Sequence, residues 1–404
     1  MWEQEIDIHQ VREIRARTTV FLGVGAIQKI DDICADLKAR GLDKLVVVTG
    51  KGAYQKTGAW GYVVQAFNKH GITYVHYDKV TPNPNTHHVN EAAQLAHAFG
   101  AKAVLAIGGG SAIDAGKSVA ILLKYPGKTA EDVYTFQFTP TQAAPIVAIN
   151  LTHGTGSEAN QFAVVSIEEK NYKPAIALPC IYPLYAIDDP ALMTGLSEEQ
   201  TRYVSIDAVN HVIEAATTKT TSPYAVDLAI AVTWLVYKYL PVALKDPKNL
   251  EARYFLAYAA LIAGLSFDNG LLHYTHALEH PLSGVNPHLT HGLGLAMLLP
   301  AVIKNIYKAK PKTLAEVLKP MVPGLKGNAD EADLAAHGME KWLFSVGATH
   351  KLADEGFTEG DVEKLVCLAF ETPSLGGLLS IAPTQATKDA VWAIYKESLH
   401  PYRK

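Results

Sequence analysis

The stretch AVLAIGGGSAIDAGKSVAILL, residues 103–123, decides the fold of this chain. An apolar run typical of a strand reaches Gly108, Gly109 and Gly110 and continues as a helical pattern. Glycines let a backbone approach a ligand closely, and a helix N-terminus offers unpaired N–H groups to an anion. Ser111 and Asp114 have the spacing of an acidic capping box. The stretch predicts a phosphate-binding turn; the alternative is a tight turn that binds nothing.

This turn is not the common dinucleotide fingerprint, because Ile113 stands where the third glycine of G-x-G-x-x-G would be. A second loop of small residues, INLTHGTGSEAN at 149–160, offers the hydroxyls of Thr152 and Thr155. Ligands of open parallel sheets gather beyond the carboxyl ends of the strands. Both loops are therefore expected to line one nucleotide-binding crevice.

The surrounding sequence alternates strand and helix patterns. Apolar runs at 45–50, 72–77 and 145–150 resemble buried strands, and the helical stretches 61–71 and 89–100 both end at glycine. This alternation predicts a parallel sheet with right-handed crossovers. After about residue 190 only long helical patterns remain. We expect a Rossmann-like α/β domain over 1–190, which binds the nucleotide, and an all-α domain over 191–404, which holds the metal and the substrate.

Composition excludes several classes of protein. The chain has 404 residues, 49% of them hydrophobic and 19% charged, which is typical of a globular protein of two domains. A net charge of -4 without a Lys/Arg run argues against a nucleic-acid partner. Neither a secretory leader nor an uninterrupted run of about 18 apolar residues is present, so we expect no membrane association and a cytoplasmic protein. The three scattered cysteines are expected to be reduced.

Residues 273–292, HYTHALEHPLSGVNPHLTHG, hold five of the 16 histidines. His276 and His280 are four residues apart, so they share a helix face, which His273 could join. Pro281 is expected to end or bend that helix. The segment therefore concentrates imidazoles on one side of a helix.

A carboxylate and another histidine have the same spacing upstream, where Asp207 and His211 fall on a second predicted helix. The loop after the helix that carries His276 and His280 is expected to bring His291 back toward these residues. One carboxylate and several imidazoles suit Fe(II), Zn(II) or Mn(II). Histidines packed in a core are the alternative, and spacing alone leaves open which of them coordinate.

The chain resembles the iron-containing, group III alcohol dehydrogenase family from about residue 15 onward. The order and spacing of five motifs carry the resemblance: GGGSAIDAGK (108–117), THGTGSE (152–158), IDDPALM (187–193), DAVNHVIEA (207–215) and HALEHPLSGVNPHLTHG (276–292). It implies a dehydroquinate synthase-like architecture with the active site in the cleft between a nucleotide domain and a helical metal domain.

The resemblance also implies roles for individual residues. The implied metal ligands are Asp207, His211, His276 and His291, with Fe(II) favoured and Zn(II) as the alternative. His280 lies nearby as the candidate catalytic proton carrier, and the ribose hydroxyl of the cofactor is the alternative relay. His273 and His288 match no ligand position, so we expect them to support the site or lie at the surface. The implied cofactor-binding residues are Gly108, Gly109, Gly110, Ser111, Asp114, Thr152, Thr155 and Lys173.

Two departures from common family patterns bear on specificity. Many members carry an acidic residue after the second strand, where this chain has Gly50 followed by Lys51. Without that negative charge a 2'-phosphate is tolerable, which favours NADP over NAD. Phe162 and Phe267 occupy substrate-pocket positions and make the pocket apolar. Extra hydroxyl groups would be costly to bury there.

These features predict a metal-dependent, NAD(P)-linked alcohol dehydrogenase or aldehyde reductase that acts on small aliphatic primary alcohols and aldehydes by hydride transfer. The segment REIRARTTVFLGVGAI (12–27) resembles a strand by which members pair, so we expect a homodimer or a higher homo-oligomer. Three alternatives remain: a glycerol- or diol-type dehydrogenase of the same superfamily, a metallohydrolase, and a nucleotide-binding protein without catalysis.

Overall fold

The computed structural model describes residues 1–402, which form two compact units. The sheet unit comprises Ala16–Leu196 and Pro247–Leu261. The helical unit comprises Met1–Arg15, Ser197–Asp246 and the chain from Ile262 onward. The chain has eight strands in its described part: β1 Thr19–Leu22, β2 Lys44–Gly50, β3 Thr73–Val80, β4 Ala103–Gly108, β5 Ile146–Asn150, β6 Phe162–Val164, β7 Ala175–Ala177 and β8 Tyr185–Asp188.

Sixteen α-helices are described. The first six lie in the sheet unit: α1 Ile30–Ala39, α2 Ala53–Lys56, α3 Ala59–His70, α4 Thr86–Phe99, α5 Gly110–Lys124 and α6 Ala130–Tyr134. The others are α7 Glu198–Thr217, α8 Pro223–Lys245, α9 Leu250–Gly270, α10 Tyr274–Val285, α11 His291–Ile306, α12 Pro311–Val317, α13 Ala332–Ser345, α14 Val362–Glu371, α15 Leu375–Ser380 and α16 Lys388–Glu397.

Six strands form one parallel sheet in the order β1-β8-β5-β4-β2-β3. The predicted α/β class is therefore confirmed. Strands β6 and β7 make a small antiparallel pair that the sequence did not predict, because three-residue strands carry too short a pattern to recognise.

The sheet changes its direction of winding between β2 and β4. Helices α1 and α3 pack against one face through Ile33, Val63 and Phe67. Helices α4 and α5 pack against the other face, where Val89 and Val119 are buried. The helix after β2 and the helix after β4 thus leave on opposite faces, which opens a crevice at the carboxyl ends of these two strands.

Two helices of the sheet unit end at the predicted glycines, whereas the predicted start of α5 needs a correction. Gly71 and Gly100 close α3 and α4 at φ 63° and 76°, as the sequence predicted. The capping box at Ser111 and Asp114 is wrong: α5 begins at Gly110, and no side chain caps it. Asp114 instead accepts hydrogen bonds from the next loop, which leaves the first N–H groups of α5 available to a ligand.

No strand occurs in the described part of the helical unit, in agreement with the all-helical prediction. Helix α10 continues past Pro281 to Val285, so of the two expectations for that proline, an end or a bend, the end is wrong. Its residues from Tyr274 to Gly284 are all buried. Their packing outweighs the one backbone hydrogen bond that a proline removes.

The N-terminal arm, Met1–Arg15, belongs to the helical unit because its contacts are there. The Glu5 carboxylate accepts hydrogen bonds from the backbone N–H groups of Lys312 and Thr313 at the start of α12. The Arg12 guanidinium donates to the Thr221 carbonyl at 2.9 Å, and Asn269 Nδ2 donates to the Arg15 carbonyl at 3.0 Å.

The sequence analysis expected two domains with a single boundary at residue 190, whereas the two units of the structure are each built from separate segments of the chain. The N-terminal arm belongs to the helical unit, and Pro247–Leu261 belongs to the sheet unit, where Arg253 donates to His153 Nε2 at 2.8 Å.

Helices α8 and α9 are long and apolar enough to cross a membrane, but 44% and 61% of their most apolar windows are buried inside the protein, and core helices share that character. Cys34, Cys180 and Cys367 are free thiols.

Candidate metal centre and nucleotide loops

Three helices of the helical unit bring together the residues named as metal ligands. Asp207 and His211 lie on α7, His276 on α10, and His291 is the first residue of α11. Asp207 Oδ1 lies 3.3 Å from His211 Nε2, 3.4 Å from His276 Nε2 and 3.9 Å from His291 Nε2. The donor atoms of Asp207, His276 and His291 all lie within 4.8 Å of one another.

Burial makes this cluster suited to a cation. Asp207 and His276 are buried, and neither Asp207 Oδ1 nor His276 Nε2 has a hydrogen-bond partner among the described residues. Buried polar atoms in proteins are almost always satisfied. One carboxylate oxygen and three imidazole nitrogens are the donor types that Fe(II) and Zn(II) prefer. The residues present therefore fit a divalent metal ion.

The electrostatics of the cluster agree with that fit. Burial alone would raise the pKa of Asp207, but His211 and its neighbours hold it well below its usual range. Burial lowers the pKa of His211 to about 3, so this imidazole is neutral and able to donate a lone pair. Burial also opposes the charge of His276, but Glu214 and Asp207 raise its pKa to about 9. A cation at the cluster would replace that proton.

Two carboxylates that the sequence analysis missed contact the backs of these imidazoles. Glu214 Oε2 lies 2.5 Å from His276 Nδ1, and Glu279 Oε2 accepts a hydrogen bond from His291 Nδ1. Both glutamates are fully buried. Glutamate is common in helices, so the only sequence signal was their position inside the two motifs that contain the histidines.

The remaining histidines of the opening segment have different places. His280 is buried beside Glu279 and His291, with its ring centroid 5.9 Å from that of His291. His273 is buried before α10, and its Nε2 lies 2.9 Å from Thr217 Oγ1. His288 is exposed. Phe267 stacks on His211 with ring centroids 4.4 Å apart, so an apolar side chain borders the cluster.

In the sheet unit, the two predicted loops lie side by side because β4 and β5 pair in parallel, with Gly108 opposite Asn150. A Cβ atom on Gly109 would approach Thr152 Cγ2 to 2.8 Å, and one on Gly110 would approach Thr155 Cγ2 to 2.5 Å. Only glycine permits these approaches. Ser111 follows in the first turn of α5.

Buried ionic side chains hold the two loops together. Lys117, fully buried on α5, donates to Ser157 Oγ at 2.9 Å and to the Phe162 carbonyl at 2.7 Å. Asp114 accepts from Ser157 Oγ at 2.5 Å and from the Val164 N–H at 2.9 Å. Burial raises the pKa of Asp114, while Lys117 opposes the rise. Asp114 therefore fixes the loop rather than facing solvent, and any part it takes in cofactor binding is indirect.

The other cofactor positions lie at the same edge of the sheet or near it. Gly50 ends β2, the neighbour of β4, and Lys51 after it is exposed. Lys173 is buried shortly before β7. Arg253 and His153, which the sequence analysis did not name, support the second loop from α9. Burial and the adjacent Arg253 lower the pKa of His153 to about 3, so the neutral ring accepts a hydrogen bond at Nε2 from a guanidinium N–H.

Glycine-lined loops at a sheet switch point and a buried carboxylate-histidine cluster are typical of a nucleotide-binding metalloprotein. Comparison with known proteins is more specific. A family model for iron-containing alcohol dehydrogenase matches residues 17–190, and the model for the C-terminal part of the Fe-containing alcohol dehydrogenase family matches 201–399. The chain belongs to the iron-containing alcohol dehydrogenase family and is an oxidoreductase.

Individual relatives agree with this assignment. A long-chain primary alcohol dehydrogenase of Thermoanaerobacter ethanolicus is 55% identical over 98% of this chain and 100% of its own length. A 1,3-propanediol dehydrogenase of Citrobacter freundii is 31% identical over 90% of this chain and 95% of its own. The crystal structure of an NADH-dependent butanol dehydrogenase of Thermotoga maritima superposes with a TM-score of 0.88 at 29% identity, covering 97% of this chain and 99% of that one. The family implies a divalent metal and a nicotinamide cofactor.

Proposed function

We propose that this protein is a metal-dependent, NADP-preferring dehydrogenase of aliphatic primary alcohols, and equally a reductase of the corresponding aldehydes. The observation that carries the proposal is the buried cluster of Asp207, His276 and His291, whose donor atoms lie within 4.8 Å of one another. The membership of an alcohol dehydrogenase family favours this function over a metallohydrolase with the same ligands.

The residues proposed to hold the metal are Asp207, His211, His276 and His291. When bound, a divalent cation supplies Lewis acidity, which favours the alkoxide of an alcohol and polarises the carbonyl of an aldehyde. Fe(II) is proposed, with Zn(II) as the alternative, because the donor set suits both. A Cys-free site of this kind binds hard to borderline ions.

The chain's own residues would handle the proton and exclude water. His280 is buried next to His291, and we assign it the transfer of the alcohol proton, since imidazole exchanges protons near neutral pH. Phe267 covers one face of His211. An apolar side chain at this position removes water, which strengthens the interactions of the charged groups.

Nucleotide binding is assigned to the loops beyond β4 and β5 and to the end of β2. The N–H groups at the start of α5 would bind the pyrophosphate, and Thr152 and Thr155 would complete the pocket with Lys173. At Gly50 there is no carboxylate to repel a 2'-phosphate, and Lys51 adds a positive charge nearby. This combination supports NADP over NAD.

The proposal also concerns the chain length of the alcohols that the enzyme accepts. Phe162 in the sheet unit and Phe267 beside His211 in the helical unit are apolar side chains, and they support small aliphatic alcohols as substrates. The relative that is 55% identical is a long-chain primary alcohol dehydrogenase, so we propose that the range extends from butanol to longer primary alcohols. A homodimer is also proposed, supported by β1, which is an edge strand of the sheet.

The test follows NADPH and NADH oxidation at 340 nm with butanal and longer aldehydes. Metal-stripped protein is reloaded anaerobically with Fe(II) or Zn(II). We expect metal-dependent oxidation with NADPH favoured at least tenfold, and Gly50→Asp should reverse that preference. Gly61→Asp, which adds the same charge on the exposed surface of α3, is the matched control.

Three results would contradict parts of the proposal. No oxidation under any metal loading by a folded protein would remove the dehydrogenase function. An unchanged cofactor ratio in the Gly50→Asp variant would remove the argument for NADP. Comparable turnover of 1,2-diols and butanol would favour the diol-type alternative over an apolar pocket.

A further inference from the structure

The two glutamates behind the metal cluster occupy equivalent positions. Glu214 lies on α7 and contacts Nδ1 of His276 on α10, whereas Glu279 lies on α10 and contacts Nδ1 of His291 on α11. In both pairs the imidazole turns Nε2 toward Asp207. Each carboxylate thus joins two of the three helices that carry the cluster.

Each glutamate is itself held in place. Glu214 accepts hydrogen bonds from the backbone N–H groups of Thr275 and His276 in the first turn of α10, where a negative charge is favoured by the helix dipole. The Nδ1 atom of His273 lies 3.5 Å from the same carboxylate. Two helices therefore meet at this carboxylate.

Glu279 has a comparable support. Ser283 Oγ donates to its Oε1, one turn along α10. A Cβ atom on Gly294 would approach Glu279 Cγ to 2.7 Å, so the glycine in α11 makes room for the carboxylate. Both oxygens of Glu279 are thus engaged by protein donors.

We propose that Glu214 and Glu279 are positioning residues that fix the tautomer and orientation of His276 and His291, so that each presents the lone pair of Nε2 to the metal. A carboxylate that accepts Nδ1–H leaves Nε2 as the unprotonated nitrogen and makes it a stronger donor. The three helices are then arranged for the ion before it binds. The inference rests on the metal site of the proposed function.

The donor atoms of Glu279, His280 and His291 also lie within 4.8 Å of one another, so a second metal ion is an alternative to be tested. The hydrogen bonds of Glu279 to His291 and Ser283 favour a supporting role instead, since both oxygens already have partners. One ion per chain is therefore expected.

The experiment measures the affinity and stoichiometry of Zn(II) for metal-stripped protein by competition with a chromophoric chelator. Glu214→Gln and Glu279→Gln keep the size of each side chain but remove its charge. We expect their dissociation constants to rise 10- to 100-fold, with one ion bound per chain in the wild type. Ser283→Ala, a milder change, should raise the constant by a few fold.

Glu340→Gln is the matched control, because Glu340 is a buried glutamate of the helical unit that pairs with Lys351 at 3.0 Å, away from the cluster. Its loss should lower the thermal midpoint and leave zinc affinity within threefold of the wild type. The Co(II) absorption spectrum is a second readout: it should change in the two glutamine variants and stay unchanged in the control.

The outcomes separate this inference from the proposed function. Tight binding of one ion by the wild type, with unchanged affinity in both glutamine variants and in Ser283→Ala, would overturn the positioning role alone. Two ions per chain would overturn the role of Glu279. A folded wild type that binds no metal would overturn both the inference and the proposed metal site.

Discussion

Glu158 and Asp188 are carboxyl groups buried near the ends of β5 and β8 in the sheet unit. Neither oxygen of Glu158, nor Oδ2 of Asp188, has a hydrogen-bond partner within residues 1–402. Burial raises the pKa of both carboxyls well above their usual range; Asp114 adds to the rise for Glu158, and Glu158 adds to that of Asp188. These two groups therefore resist ionisation in the folded protein.

Replacing Glu158 with Gln should stabilise the protein at pH 8 and change little at pH 4.5. A carboxyl with a raised pKa binds its proton more tightly when folded, so its favourable contribution is complete below the unfolded pKa of about 4.3 and is lost as the pH rises through the higher folded value. We expect a gain of at least about 1 kcal/mol at pH 8. Urea unfolding without nucleotide at both pH values measures it.

The exposed residue Glu363 on α14 provides the control, since Glu363→Gln should give the same small difference at both pH values. Equal stability of the wild type and the Glu158→Gln variant at pH 8 would show that the buried carboxyl finds a partner in solution. The sign of the change is decisive here, because loss of a buried ion pair would destabilise instead.

Sequence reasoning pointed to the histidine-rich segment because imidazoles are rare and their four-residue spacing is informative, and the family resemblance supplied the set Asp207, His211, His276 and His291, which the helices bring together. It missed Glu214 and Glu279, since glutamates occur throughout helices and only the three-dimensional packing of α7, α10 and α11 shows which ones meet a histidine. It assigned Asp114 a cap at the start of α5, whereas the carboxylate accepts hydrogen bonds from Ser157 and Val164, because spacing alone does not show where a side chain points.

At the scale of elements, the close contact between α5 and the sheet depends on Gly116. A Cβ atom there would meet Ala106 Cβ at 2.8 Å and Val104 Cγ1 at 3.4 Å, both on β4. Neither neighbour has a flexible side chain that could move away. The glycine therefore sets the distance at which α5, with its N-terminal loop, packs on β4.

Gly116→Ala should destabilise the protein, whereas Gly61→Ala on α3 should stabilise it. Alanine improves helix propensity by about 1 kcal/mol in both helices, but only position 116 has neighbours within 4 Å. Overpacking of a core typically costs about 1–3 kcal/mol. Urea midpoints of the two variants measure the difference, and a more stable Gly116→Ala variant would mean that α5 can move outward freely.

Apolar runs predicted the central strands well, since 45–50 and 145–150 differ from β2 and β5 by one residue at their start. Buried parallel strands give such continuous runs. Strand β8 and the pair β6 and β7 were not predicted, because strands of three or four residues carry too short a pattern, whereas β1 lies within the segment 12–27 that was expected to contain a strand. Helix α10 does not end at Pro281 because its burial against the rest of the protein outweighs the low helix propensity of proline. Propensity can be read from the local sequence, whereas burial of the whole helix cannot.

On the scale of the molecule, four crossings of the chain connect the two units. Helix α9 continues through one of them, with its first part in the sheet unit and its last part in the helical unit. A continuous helix is difficult to melt in one half only, because helix formation is cooperative. The two units are therefore expected to unfold together.

Differential scanning calorimetry of metal-free protein should show one transition, and Zn(II) or NADPH alone should each move the whole of it. A ligand at 100 times its dissociation constant stabilises the folded state by about 2.7 kcal/mol. Two resolved transitions, with metal moving only one and nucleotide only the other, would show that the units unfold independently despite α9.

The sequence indicated two units from the change of pattern near residue 190, which lies close to the crossing after Leu196. It did not reveal that residues 1–15 belong to the helical unit or that residues 247–261 belong to the sheet unit. Those memberships depend on contacts between residues far apart in the chain, such as those of Glu5 with α12 and of Arg253 with His153. No local pattern encodes them.

The N-terminal arm also bears on the order of events at the ribosome. Glu5 finds its hydrogen-bond partners 307 and 308 residues later in the chain. At about 5–20 residues per second, synthesis of that intervening chain takes some 15–60 seconds. The strands of the sheet unit all emerge in that interval, whereas Glu5 still lacks its partners at the start of α12. The helical unit therefore completes its packing last, so the nascent chain acquires its nucleotide loops before its metal cluster.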